Sequence, residues 1–183
     1  LKAMRIDAAA LAKQWGIGCE EAGRRARYEI FEECLQEMGD CHGAIAVAHH
    51  RDDCAETLLF HMFRGTGLDG MAGIRPVRKT ERESMIIRPL LETGKTEIES
   101  FLQEKGISWR IDSTNTGEDY TRNRIRNRVL PYAEKEICSG AGAHLAKEAQ
   151  LLAETVDFVR SCTRQALERC RVEAGALKTN VCG

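Results

Sequence analysis

Residues 49–57 read HHRDDCAET, the densest grouping in the chain of side chains able to move a proton, hold a cation or grip a charged substrate. Zinc is the first chemistry to weigh. No HExxH helix is present, and adjacent histidines on an extended segment point to opposite faces, so the spacing does not favour a zincin-type site. Asp53 and Glu56 stand one helical turn apart where a helix would begin, with His49 just before them. That arrangement suits the rim of an active site better than solvated polar residues at a strand end.

Two basic runs offer a counterpart. TRNRIRNR, 121–128, holds four arginines and no acid. On a helix, Ile125, Val129, Tyr132 and Ala133 define the core side. Arg122 and Arg126, one turn apart, flank it, while Arg124 points roughly opposite. Rigid forks of donors at the border of an apolar face suit phosphate, on ATP or on an RNA backbone; salt-bridged surface arginines are the plainer alternative. In RRARY, 24–28, Arg24 and Arg27 share one side of a helix, away from the stripe of Ile30 and Cys34. TGKT, 93–96, is not a phosphate-binding GxxxxGK loop, because Pro89 stands where the first glycine is needed; it reads as an N-cap threonine opening a helix.

The elements that must position these groups follow from periodicity. KAMRI, 2–6, is expected to be a short strand, and Asp7 to cap a helix over AAALAKQW that ends at Gly16. Ala22, Ala26, Ile30, Phe31, Cys34, Leu35 and Met38 predict an amphipathic helix over 20–38. GAIAVA, 43–48, is short and apolar enough for a buried parallel strand, so the order helix, strand, helix points to a doubly wound α/β sheet. The polar cluster then falls at the carboxyl end of a strand, where open α/β sheets bind ligands. The next helix should run from Asp53 to Phe63, with Ala55, Leu58, Leu59, Met62 and Phe63 inward. IRPVRK and SMIIRPL predict a hairpin. A helix over 96–106 should bury Ile98, Phe101 and Leu102, and DSTNTGEDY, 112–120, is loop by composition. A further helix from Thr121 meets Pro131, whose ring should kink or break it. Leu145, Ala149, Leu152, Val156, Val159, Thr163, Ala166 and Cys170 predict one long helix with a narrow stripe. It reads as a connector to a further domain, or as an oligomerisation seam that would make a homodimer.

A net charge of −1 argues against a generally polycationic nucleic-acid binder, so local clusters must carry any such role. No run approaches the roughly 18 consecutive apolar residues of a membrane span. The eight cysteines contain no CxxC pair, which predicts reduced thiols in a cytoplasmic protein, most of them packed as small hydrophobes.

In order along the chain, EEAGRRARY, HHRDDCAET, FRGTGLDGMAGI, IIRPLL, WRIDSTN and YTRNRIRNRVLP resemble the tRNA(Ile)-lysidine synthase family of the PP-loop ATPase superfamily, over roughly residues 1–135. The resemblance implies a helix-rich α/β fold. Residues 1–138 would be part of a Rossmann-like PP-loop (adenine nucleotide alpha hydrolase-like) parallel-sheet domain, and 139–183 a long linker helix toward a further domain. It implies an ATP-dependent ligase: ATP adenylates C2 of the wobble cytidine of a tRNA(Ile) with a CAU anticodon, and the ε-amine of free lysine displaces AMP to form lysidine.

The family's HHxxDxxET motif falls on His49, His50, Asp53, Glu56 and Thr57, making Asp53 rather than Asp52 the acid at stake. By the same resemblance Asp53 binds magnesium or the lysine ammonium, Arg27 and Arg126 stabilise phosphate and leaving-group charge, and His49 orients the cytosine or the acid. Arg24, Glu56, Arg122 and Arg124 would contact tRNA, lysine or phosphate. The family's nucleotide loop, SGGxDS, has no counterpart in this sequence. One strong and one weak strand also cannot make a stable parallel sheet. Both features imply an internal fragment or a truncated product that does not bind ATP productively alone. Two other readings stay open: a tRNA sulfur transferase of the same superfamily, which should carry CxxC pairs, and a noncatalytic RNA-binding or interaction module.

Overall fold

The computed structural model describes residues 2–39, 43–80, 82–110 and 121–170. The loop expected over 112–120, Cys41, Cys182 and the chain after Cys170 lie outside the described residues. The chain forms two compact units, Leu1–Val47 with Pro76–Pro89, and Ala48–Arg75 with Leu90–Gly183.

In the first unit, Asp7 caps α1 (Ala8–Trp15) by accepting the Ala10 N–H at 3.0 Å, and Gly16 ends it in the left-handed region. Helix α2 (Cys19–Glu37) follows and packs on α1, burying Ala22 and Ala26. Two expectations fail here. Residues 2–6 form no strand, and Met38, placed on the apolar stripe, is exposed. Glu32 is buried instead, and the Arg82 guanidinium lies 3.3 Å from its carboxylate.

The sheet has three strands, β1 (Ala44–Ala46), β2 (Val77–Lys79) and β3 (Met85–Ile87), in the order β1-β3-β2. It is mixed. Strand β1 runs parallel to β3 with Ile45 opposite Ile86, and β2 and β3 form the expected antiparallel hairpin with Arg78 opposite Ile86. Ile45 and Ile86 are buried while Ala44 and Ala46 are exposed, so β1 is covered on one face rather than two.

The second unit is helical. Helix α3 (Arg51–Arg64) ends at Gly65, and α4 (Leu68–Met71) is tied back to it by His61, whose Nδ1 lies 2.6 Å from the Gly70 carbonyl. The buried run Cys54, Ala55, Glu56, Thr57 and Leu58 covers every side of α3 near its start. Farther along, Met62 and Phe63, expected inward, are exposed. Helix α5 (Lys95–Glu104) likewise exposes Phe101. Its N-cap is Gly94 rather than a threonine, and Glu97 accepts the Gly94 N–H at 2.6 Å.

Residues 121–137 stay helical straight through Pro131: α6 (Thr121–Arg124), a widened π-turn over Ile125–Val129, α7 (Leu130–Tyr132), and a second widened turn over Ala133–Ile137. The Leu130 N–H reaches back to the Ile125 carbonyl. Moving the ladder from i−4 to i−5 just before Pro131 makes room for a residue that lacks a donor and whose ring would crowd the tighter turn. Helix α8 (Ala141–Cys170) packs on α3 and α4 through Ala149, Ala153 and Val156. From Asp157 to Cys170 every residue is exposed, including the predicted stripe of Val159, Thr163, Ala166 and Cys170. The cysteine expectation is corrected as well. The described cysteines are free thiols, as expected, but only Cys54 is buried and Cys34 half-buried, while Cys19, Cys138, Cys162 and Cys170 are exposed.

Helix α8 starts under the control of one carboxylate. Glu134 accepts the N–H groups of Gly140 and Gly142, both at 2.7 Å, and these bonds hold its pKa below the ordinary value. A lowered folded-state pKa stabilises above the unfolded value and loses that stabilisation as pH falls through the folded one. Glu134→Ala should therefore destabilise the unit by about 1 kcal/mol at pH 7, as loss of a helix cap does. In denaturant titrations the difference from wild type should shrink as the pH is taken below the ordinary carboxylate range.

Candidate functional site

The polar cluster belongs to the first turns of α3. Asp53 accepts the His50 N–H on Oδ2 at 2.9 Å, satisfying a donor just outside the helix. Carboxylates are also favoured at this positive end of the helix dipole. Glu56, one turn on, has a side chain only 2% exposed, and a carboxylate so far from water needs a partner of opposite charge.

Arg126 is that partner. Its Nε donates to Glu56 Oε1 at 2.6 Å and its Nη2 to Glu56 Oε2 at 2.8 Å, a two-pronged fork, while Nη2 also reaches Asp53 Oδ1 at 3.2 Å. One turn earlier, Arg122 Nη2 donates to Thr57 Oγ1 at 2.5 Å. Both arginines reach α3 because Ile125, 2% exposed, is seated between them in a core with Ala55 and Leu130, and Leu59, Phe60 and Leu145 pack around it. Arg124 is exposed on another side of the same turn, as its helical position predicts.

Burial pushes the Glu56 carboxyl pKa up, opposed by hydrogen bonding to Arg126 and the charge of that residue. Hydrogen bonding to Glu56 in turn raises the Arg126 pKa, so the guanidinium is locked in its charged form. The result is a fixed positive group, partly exposed, clamped by two carboxylates. Such a group can face developing negative charge without having to reorient.

The remaining predicted residues fall elsewhere or on the margin. His49 is half-buried in the segment that leads into α3. Arg24 and Arg27 belong to the other unit. Arg24 makes its own fork on Glu21, with Nε to Oε2 at 2.9 Å and Nη2 to Oε1 at 2.7 Å, and Arg27 is exposed on α2. No trio of His, Cys, Asp and Glu among the described residues gathers to hold a metal. Thr57 was read only as a motif letter; its hydroxyl, the anchor of Arg122, gave no signal a charge count could detect.

A small mixed sheet accompanied by many helices is an α/β class of fold, and the chain belongs to the PP-loop domain family, whose model matches residues 2–133. Relatives named tRNA(Ile)-lysidine synthase are similar over most of the chain. The one from Caldanaerobacter subterraneus subsp. tengcongensis is 41% identical over 93% of this chain and 35% of its own length. That from Chlorobaculum tepidum is 40% identical over 85% and 45%, and that from Bacillus subtilis 36% over 90% and 34%. The chain thus spans about a third to under half the length of these curated relatives.

The Glu56–Arg126 pair yields a direct test. Arg126→Met removes the groups that oppose burial, so the Glu56 carboxyl should titrate at a higher pH than in wild type, seen in its carboxyl carbon NMR shift. A raised folded-state pKa means the folded protein binds more protons than the unfolded one, so stability falls as pH rises through that range. The variant should show this decline more steeply than wild type, with about 3 kcal/mol lost at neutral pH for a buried charge left unpaired. An unmoved Glu56 titration would show that Arg126 does not govern it.

Proposed function

We propose that this chain is the part of a tRNA(Ile)-lysidine synthase that holds the reacting groups of the wobble cytidine, ATP and lysine. The observation that carries the reading is the Asp53, Glu56 and Arg126 cluster, formed by two motifs seventy residues apart. In the reaction the C2 oxygen of cytidine attacks the α-phosphorus of ATP and pyrophosphate leaves. The lysine ε-amine then attacks C2, and AMP leaves with that oxygen. Arg126 stabilises negative charge on the phosphate as the adenylate forms and breaks, a role that the resemblance also gives Arg27. Glu56 acts by holding the Arg126 fork, and Arg122, Arg124 and Arg24 contact the tRNA backbone or phosphate. Asp53 receives the lysine ammonium or magnesium, and His49 orients the base or the acid.

Magnesium bound at a polyphosphate needs only one or two protein carboxylates, and Asp53, 17% exposed, can supply one. When bound, the ion would neutralise phosphate charge. The partners are then ATP, free lysine and tRNA(Ile) with a CAU anticodon. Residues 139–183 would link this part to a further domain, the exposed half of α8 being the linker or a homodimer seam. No helix among the described residues is long and apolar enough to cross a membrane, and the site of action we propose is the cytoplasm.

In the full-length protein, Asp53→Asn should abolish lysine incorporation into tRNA with the fold retained by circular dichroism; near-normal incorporation would remove Asp53 from the reaction. Arg126→Ala should slow adenylation or lysine transfer by at least about 100-fold, the scale for losing a fixed charge-stabilising group. Arg124→Ala should slow it far less, and equal losses would refute the division of the arginines between two faces. The 183-residue chain alone should give no ATP-dependent lysine incorporation.

A further inference from the structure

A second set of contacts grips the start of α3, and its residues lie outside the cluster described above. The Arg51 N–H donates to the Thr93 carbonyl at 2.9 Å. Asp52 Oδ2 accepts the Lys95 N–H at 3.0 Å. Arg51 Nη2 lies 3.1 Å from Glu97 Oε2, the same oxygen that takes the Gly94 N–H. Two consecutive residues of α3 are thereby joined to both backbone and side chains of residues 93–97.

Gly94 lies against the ends of both paired side chains. This glycine is buried, and a Cβ there would run into the Arg51 guanidinium and the Glu97 carboxylate. The orphan N–H of Lys95, the first residue of α5, is satisfied from another helix, by Asp52.

We propose that residues 93–97 clamp the first turn of α3, and that Asp52 and Gly94 are positioning residues acting through Asp53. The effect on rate rests on the function proposed above; the clamp itself does not. The first turn of a helix has no intrahelical partners for its N–H groups and is the part that frays. Asp53 lies in that turn, bonded directly to Asp52. Its contact with Arg126, 3.2 Å, is longer than either prong of the Glu56 fork and breaks before them on a small displacement. Misplacing a reacting group by about 1 Å can cost on the order of 100-fold in rate. Asp52, set aside in the motif in favour of its neighbour, therefore matters by aiming that neighbour.

The test uses the full-length protein with Asp52→Ala, which removes the acceptor for the Lys95 N–H, and Asp52→Asn, whose amide oxygen can replace it. Asp52→Ala should lower kcat for lysine incorporation by at least about tenfold, within the range expected for misplacement, with little change in the KM for lysine. Asp52→Asn should restore most of the loss. Exchange of the His50 amide hydrogen, which is held by Asp53, should quicken at least about tenfold in Asp52→Ala but not in Asp52→Asn, while the Ala153 amide of α8 exchanges as in wild type. Gly94→Ala presses instead on the Arg51–Glu97 pair of the same clamp and should speed His50 exchange alike, which keeps the test open if Asp52→Ala does not fold. Wild-type kcat and wild-type His50 exchange in Asp52→Ala would overturn the clamp, as would equal acceleration at His50 and Ala153. If the wild-type protein incorporates no lysine, the proposed function fails, and His50 exchange alone decides the clamp.

Discussion

A carboxylate buried as deeply as Glu56 constrains everything around it. Removing one ion from water costs several kcal/mol even after relaxation, and only a well-aligned partner of opposite charge offsets that cost. The fork of Arg126 meets both Glu56 oxygens at hydrogen-bonding distance, and one-sided contact would leave a lone pair unsatisfied. Arg126 can meet them only if residues 122–130 lie along α3 with Ile125 pressed onto Ala55. The widened turn beginning at Ile125 serves the same end, since it carries the helix past Pro131 without turning that face away.

Stability alone does not call for such a pair. Apolar residues of similar volume often replace a buried ion pair at no loss, so charge retained in a core needs another justification. Here one edge of the pair is open: Arg126 is 31% exposed and Asp53 17%, whereas Glu56 is sealed. The buried acid fixes the arginine, and the arginine presents a permanent positive charge beside a carboxylate that can still be reached. That asymmetry, a sealed anchor with an accessible pair of opposite charges, lets the site face charge of either sign without having to reorient.

Local pattern was enough for the parts whose causes are local. Asp7 and Gly16 mark the ends of α1, glycine stops α3, and alternating apolar pieces around a charged turn make the β2–β3 hairpin. The helical wheel over 121–128 also separated Arg124 from Arg122 and Arg126 correctly. What pattern missed has distant causes. Glu32 is buried because Arg82, fifty residues later, pairs with it. Met62 and Phe63 have the right spacing for a core and are exposed, because the part of α3 wrapped by its neighbours is the first half. A kink or break at Pro131 follows from an i−4 ladder; a change to i−5 is not visible in side-chain periodicity.

The acids of HHRDDCAET also explain why a ligand count misleads. Asp52, Asp53 and Glu56 are crowded at one helix end, and like charges so close repel unless each has a positive or donor group to face. Each does: Asp52 turns to the Lys95 N–H, Asp53 to the His50 N–H and Arg126, and Glu56 to Arg126 from beneath. A cage for a bare cation needs its carboxylates to converge on an open point; here Asp52 turns away to the Lys95 N–H, and the point that Asp53 and Glu56 share is filled by the Arg126 guanidinium. One half-buried carboxylate edge beside a guanidinium leaves a single acid within reach, so what the site can hold is set by geometry fixed on α3 rather than by the number of its acids.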